Sequence, residues 1–175
     1  MKLYGSLENR IMENKQFCKV IEVGTGATEF CYTDSHAYEV TKVETQEHIW
    51  VRRLNAKRAD KNGMSDCQDY EFTSDPTSPQ IEIVKRRGYW YKIHTYNKAE
   101  MLEVATKKID SGKGDINPTY TREQQIECQF KFMLIHCRFT PKQWEAFNEG
   151  KTIKNFTKWD GLSIGIKQEY FDYSF

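Results

Sequence analysis

The spacing of apolar residues changes period several times along the chain, and each change marks an expected element. Over residues 3 to 16, Leu3, Leu7, Ile11 and Met12 share roughly one face at helical spacing, with Ser6 as a candidate cap. An irregular arm is the alternative there. From Val20 the texture turns to β. Val20, Ile21 and Val23 lead into Gly24-Thr25-Gly26, then Ala27 to Tyr32. Ala37 to Val43 alternates through Tyr38, Val40 and Val43. Thr45-Gln46-Glu47 reads as a tight reversal into His48 to Leu54, where Ile49, Val51 and Arg53 oppose Trp50 and Arg52.

Residues 55 to 67 are polar around Asn62-Gly63, a strong turn signal because glycine tolerates positive φ. Gln68 to Thr73 alternates again. Asp75-Pro76-Thr77-Ser78-Pro79 is a loop, since proline donates nothing to a ladder. Ile81 to Lys85 and Tyr89 to Ile93 form a second expected hairpin around Arg86-Arg87-Gly88. Residues 97 to 110 read as a helix, with Met101, Leu102, Ala105 and Ile109 near one stripe, and Ser111 to Asp115 as a break.

The longest apolar stretch, within Ile126 to Phe139, reads as a buried strand. Thr140-Pro141-Lys142-Gln143 is a capping box with proline at the first helical position. Its helix runs to Gly150 and is expected to bury Trp144 and Phe147 together, three positions apart on one face. Leu162 to Phe171 reads as a closing strand. These elements predict a mainly β fold with minor α: a small twisted antiparallel barrel or sandwich with one or two packed helices. The 175 residues fit one domain, with 94–161 as an inserted elaboration of strand plus capped helix.

Composition refines this picture. Hydrophobic residues are 38% of the chain, but aromatics reach 14%, enough to build a core despite the low apolar content. The net charge of +1 argues against both a generic polyanion binder and an acidic mimic of DNA, so electrostatic recognition must come from a local patch. No apolar run reaches the length of a transmembrane helix, and Met1 to Ser6 lacks the apolar core of a signal peptide. Five cysteines, Cys18, Cys31, Cys67, Cys128 and Cys137, are odd in number and include no Cys-x-x-Cys pair, which points to reduced thiols in a cytoplasm.

Several blocks resemble a family of small phage- and prophage-encoded proteins. They are Tyr4-Gly5-Ser6-Leu7, Asn9 to Glu13, Val23 to Thr28 with Tyr32 and Asp34, Asn62-Gly63-Met64-Ser65-Asp66-Cys67-Gln68-Asp69-Tyr70, and Ile164 to Lys167 through Tyr170-Phe171-Asp172-Tyr173-Ser174-Phe175. The resemblance covers roughly 1–93 and 162–175. Residues 94–161 depart from it, because in the family the second hairpin runs almost directly to the closing strand. It implies a phage setting and a shared core, and brings no reaction with it.

Catalytic signals are weak. Gly24-Thr25-Gly26 lacks the third glycine of a dinucleotide fingerprint and precedes a strand, so it reads as a turn or bulge. His36, His48, His94 and His136 show no zincin spacing, and His136-Cys137 would point to opposite faces of a strand. Cys67 is the one candidate nucleophile, in a polar loop where a small structural residue is the simpler account. No Ser sits in a Gly-x-Ser-x-Gly elbow, and the pair Asp66 and Asp69 is commonplace in turns. No catalytic residue, metal or cofactor is expected.

The strongest electrostatic feature is Arg52, Arg53, Lys57, Arg58 and Lys61 with Lys85, Arg86 and Arg87, beside Tyr89-Trp90-Tyr91. Cations next to aromatics are how sheets hold nucleotides and single strands. Alternation sets Trp90 opposite Tyr89 and Tyr91. The loop 62–70 adds Ser65, Asp66, Gln68 and Asp69 on a rigid scaffold, with the bland account that these side chains cap the turn's own amides. The expected function is a phage-encoded, non-enzymatic binding protein in the host cytoplasm. It would inhibit an antiphage system, a CRISPR system for example, by occupying a host defence protein. The alternatives are binding of a nucleotide signal or nucleic acid through the basic hairpins, and a metal- or cysteine-dependent hydrolase.

Overall fold

The computed structural model describes residues 20–64, 68–114 and 117–172. The expected helix over 3–16 lies outside them, as do Ser65, Asp66 and Cys67. The chain divides into two compact units, 1–93 with 156–175, and 94–155. No helix among the described residues is long and apolar enough to cross a membrane.

The first unit is built on strands β1 (Gly26–Phe30), β2 (Ser35–Thr45), β3 (His48–Arg58), β4 (Tyr70–Ser74), β5 (Gln80–Arg86), β6 (Tyr89–Tyr96), β7 (Ile153–Lys158) and β8 (Leu162–Ile164); β6 leads into the second unit and β7 leads out of it. The order is β7-β6-β5-β3-β2-β1-β8, with β4 also on β3. The pairs β1–β2, β1–β8, β2–β3, β3–β4, β3–β5 and β5–β6 are antiparallel. The fold is therefore mainly β with minor α, and the sheet is open rather than closed into a barrel.

β2 and β3 form the expected first hairpin. An irregularity between Val40 and Lys42 lets Val43 return to the face of Tyr38 and Val40, which strict alternation would forbid. β3 takes β2 along one edge. Along the other it takes β5 opposite 48–52 and β4 opposite 54–58. β4 and β5 thus act as one strand interrupted by the Asp75 to Pro79 excursion, where the two prolines sit. The β5–β6 hairpin turns on Arg87 and Gly88, both at positive φ (51° and 84°), the geometry of a two-residue primed turn.

Ala27, Tyr38, Val40, Ile49, Val51, Ile83, Trp90 and Trp159 form the core of this unit on one sheet face. Gly24, at φ 89°, lies in a tight turn closed by Thr25 N donating to Glu22 O at 3.0 Å, so Gly24-Thr25-Gly26 serves the chain's own path. The closing strand is shorter than 162–171. It ends at Ile164, and the chain then runs over Gly26, where a Cβ would meet the Lys167 nitrogen at 2.8 Å. Thr28 Oγ1 donates to Ile166 O (2.7 Å) and accepts from Gln168 N (3.1 Å), so a hydroxyl replaces the ladder until Tyr170 pairs with Ser35.

The second unit contains α1 (Lys98–Asp110), α2 (Arg122–Ile135) and α3 (Pro141–Asn148). Asn97 caps α1, which buries Met101, Ala105 and Ile109 at helical spacing. The buried strand expected over 126–139 is instead α2. Thr121 and Gln124 form a reciprocal capping box at its start, and the inward positions Gln129, Phe130, Met133, Leu134 and then Cys137 recur with helical period. α3 begins at Thr140 and Pro141 as expected, and its C-terminus closes as Lys151 N donates to Ala146 O and Gly150 N to Phe147 O. Met101, Cys137, Phe147 and Ile153 form this unit's core. Trp144, expected to share it, is 42% exposed, its ring stacked on Phe147 at 6.0 Å.

Candidate binding surface

The loop after β3 is organised by a residue that sequence reasoning passed over. Asp60 accepts from Arg58 Nε, Asp69 N and Asn62 N, each at 2.8 Å. These bonds, led by the one from Arg58, hold the Asp60 carboxyl far below the usual carboxylate range. Arg58 is therefore engaged inside the loop, and the Asp69 amide is committed to Asp60. Gln68 donates from Nε2 to Phe171 O (2.7 Å) and accepts at Oε1 from Phe171 N (3.1 Å) and Tyr70 Oη (2.7 Å). Its amide mimics a strand edge and holds the segment that follows β8. Lys61 is exposed.

The basic residues of β3 separate. Arg53 joins the core side and pairs with Glu169, while Arg52, one residue earlier, faces the opposite side between Glu39 and Gln80. Arg52 Nε is buried and meets no hydrogen-bond partner among the described residues. Trp90 is 8% exposed and belongs to the core, as alternation against Tyr89 and Tyr91 requires.

On the face opposite the core, cations sit on aromatic rings. Lys42 Nζ lies 4.0 Å from the centroid of Trp50, whose other neighbour is the His48 ring, stacked at 4.7 Å. His48 is held between Glu44 (2.8 Å) and Glu82 (2.9 Å). Nearer the hairpin tip, the Arg86 guanidinium lies 3.6 Å from the Phe156 centroid and Lys158 Nζ 4.1 Å from that of Tyr89. Tyr89 is 55% and Phe156 38% exposed. Arg86 and Arg87 are both exposed at the tip. The signal available in the sequence was cross-strand register: Arg86 opposes Tyr89, and Trp50 opposes Lys42.

The core side carries its own polar network. Glu29 accepts from Tyr38 Oη (2.8 Å) and from Trp159 Nε1, with Lys92 Nζ at 3.6 Å. Burial alone would raise the Glu29 carboxyl; the two hydrogen bonds and Lys92 outweigh it and hold the carboxyl low. Nearby Cys31 is exposed, but partial burial, then the carboxylates of Glu29 and Asp34, push its thiol up, the reverse of an activated nucleophile. Among the described residues no three His, Cys, Asp or Glu side chains converge as a metal-binding group.

Compared with protein-family models, with curated proteins and with solved structures, the chain matches none.

Proposed function

We propose that this chain is a phage-encoded, non-enzymatic binding protein that acts in the host cytoplasm, in counter-defence, by occupying an acidic surface of a host defence protein. The observation that carries the reading is the set of cation-covered rings on the face opposite the core: Lys42 on Trp50, Arg86 on Phe156, and Lys158, which also pairs with Asp160 at 2.6 Å, on Tyr89. Arg, Tyr and Trp are the residue types that dominate protein-interface energetics. A ring already covered by a cation offers a partner charge and apolar area together, and suits carboxylates better than a base seeking a bare π face. The phage setting rests on the resemblance of the opening blocks, the Asn62 to Tyr70 loop and the closing pattern.

The test is capture from phage-infected cells with wild-type protein and with an Arg86→Ala/Lys158→Ala variant as baits, read by mass spectrometry. A host protein retained by wild type and lost by the variant, at equal melting temperature, supports the reading. A host protein retained equally by both removes this surface from it.

A second reading is favoured by the stacked His48 and Trp50 rings, which form a platform on which a base can extend the stack. Binding of a single-stranded oligonucleotide that falls steeply with salt, and is lost in Trp50→Ala, would favour a nucleotide or nucleic-acid partner.

A further inference from the structure

The amino acids that defeat a strand reading of 126–139 also leave α2 with apolar residues on its solvent side. Cys128, Phe132 and Ile135 follow one another at helical spacing, outside the inward set of Phe130, Met133 and Leu134. Phe132 is 53% and Ile135 71% exposed. Beside them lies a cavity of about 520 Å³ floored by Phe130, Leu134, Ile135 and Trp144, with Lys98 and Glu127 among its lining residues. An apolar patch and an apolar groove, contiguous on one small unit, mark an interaction site.

We infer that this face of α2, with the groove beside it, docks a second copy of the same chain. Charge identifies the occupant. Arg122 is already committed to Asp110, through two hydrogen bonds of 2.8 Å. The remaining charges on α2 are segregated: Glu123 and Glu127 in its first half, Lys131 in its second, with Arg138 exposed just beyond its end. A two-fold contact applies one surface to itself, with the axis either along the helices or across them; the segregated charges select the axis across them, which sets two α2 helices antiparallel. That crossing sets the acidic half of each helix against the basic end of the other. Phe132 and Ile135 of each copy then cover the groove of the other. A foreign acidic or basic segment would match only half of the helix. Glu127 and Lys131 now pair within the helix at 2.7 Å, both largely exposed. Such a pair is weak, so exchanging it for a contact between copies costs little.

Sedimentation of the full chain over about a hundredfold range of concentration tests this, since dimer fraction follows mass action. The expected result is a dimer that dissociates on dilution. Phe132→Asp and Ile135→Asp should each be monomeric throughout, with a wild-type melting temperature at the dilute end. Tyr32→Asp, an exposed aromatic on the other unit, should dimerise normally. Glu127→Lys should weaken the dimer about tenfold, the scale of a close interfacial charge pair. The exchange Glu127→Lys/Lys131→Glu should restore it, and this arm stands even if an apolar variant fails to fold. A wild-type monomer at every concentration overturns the inference, including one that captures a foreign protein instead. So does a dimer that survives both aspartate variants, or a charge exchange that fails to restore it.

Discussion

Arg53 and Glu169, 116 residues apart in sequence, meet in a two-pronged ion pair with contacts of 2.7 and 2.5 Å. The same carboxylate accepts from Ala37 N at 2.8 Å, and the guanidinium donates to Ala37 O at 3.1 Å. One ion pair thus fastens the segment after β8 to the middle of the sheet.

Removing one partner should cost more than removing both. Arg53→Ala leaves a carboxylate that is 12% exposed with the Ala37 amide as backbone donor and His36 Nδ1 at 3.4 Å. It should destabilise by about 2 kcal/mol, less than a fully buried pair because Arg53 itself is about a third exposed. Urea unfolding of Arg53→Ala, Glu169→Ala and the double variant should give a double cost below the sum of the singles by about 1 kcal/mol or more.

Glu29 should impose an acid limit on stability. Its folded carboxyl is held below the ordinary value of 4.5 by bonds from Tyr38 and Trp159 and by Lys92, which together overcome burial. The unfolded chain therefore takes up the proton first as pH falls. The contribution is complete above the unfolded value and drains away as pH drops from about 4.5 through the lower folded value. Urea midpoints should show wild type well above Glu29→Gln at neutral pH, with the gap closing below pH 4.5. A gap that is constant with pH would contradict this account.

Within α3, position 147 should matter far more than position 144. Phe147 is fully buried against Phe130 and Phe139, so Phe147→Ala should cost about 3–5 kcal/mol. Trp144 is 42% exposed, so Trp144→Ala should cost about 1 kcal/mol. Thermal melts of the two variants, compared with wild type, decide between this ranking and equal burial.

Asp60 should act through the order of its loop. Asp60→Ala deprives the Asn62 and Asp69 amides of their acceptor and removes the carboxylate that Arg58 Nε donates to. Hydrogen exchange at those two amides should accelerate markedly, with the β2–β3 amides unaffected. Lys61→Ala, at an exposed neighbour, should leave both amides at wild-type rates.

The two hairpins, α1 and α3 are legible in the sequence because each carries its own local signal: alternation, a turn dipeptide or a capping box. α2 is not, because Phe130 to Ile135 is nearly all apolar and fits both periods. The deciding cue is the capping box of Thr121 and Gln124 that precedes the run. The short β8 is equally hidden, since its end depends on the absent Cβ of Gly26, about 140 residues away. Of the binding surface, Arg86 and Arg87 at a hairpin tip could be read directly. Phe156 and Lys158 could not, because only the β6–β7 pairing brings them beside Tyr89 and Arg86. The roles of Asp60, Glu29 and Glu169 likewise arise from long-range hydrogen bonds that local spacing does not encode.

The division of the chain also orders events during synthesis. The second unit is contiguous, 94–155, whereas the first draws on residues from both sides of it. A ribosome has therefore made every residue of the second unit before it reaches Trp159, Leu162, Ile164 and Glu169. Until those emerge, the cluster around Ala27 and Tyr38 lacks its aromatic cover, β1 has an open edge and Arg53 has no carboxylate. This arrangement allows the usual precedence of N-terminal over C-terminal folding to be inverted. The later-encoded unit can finish while the earlier one waits, and a nascent chain halted before Trp159 carries an unsealed sheet.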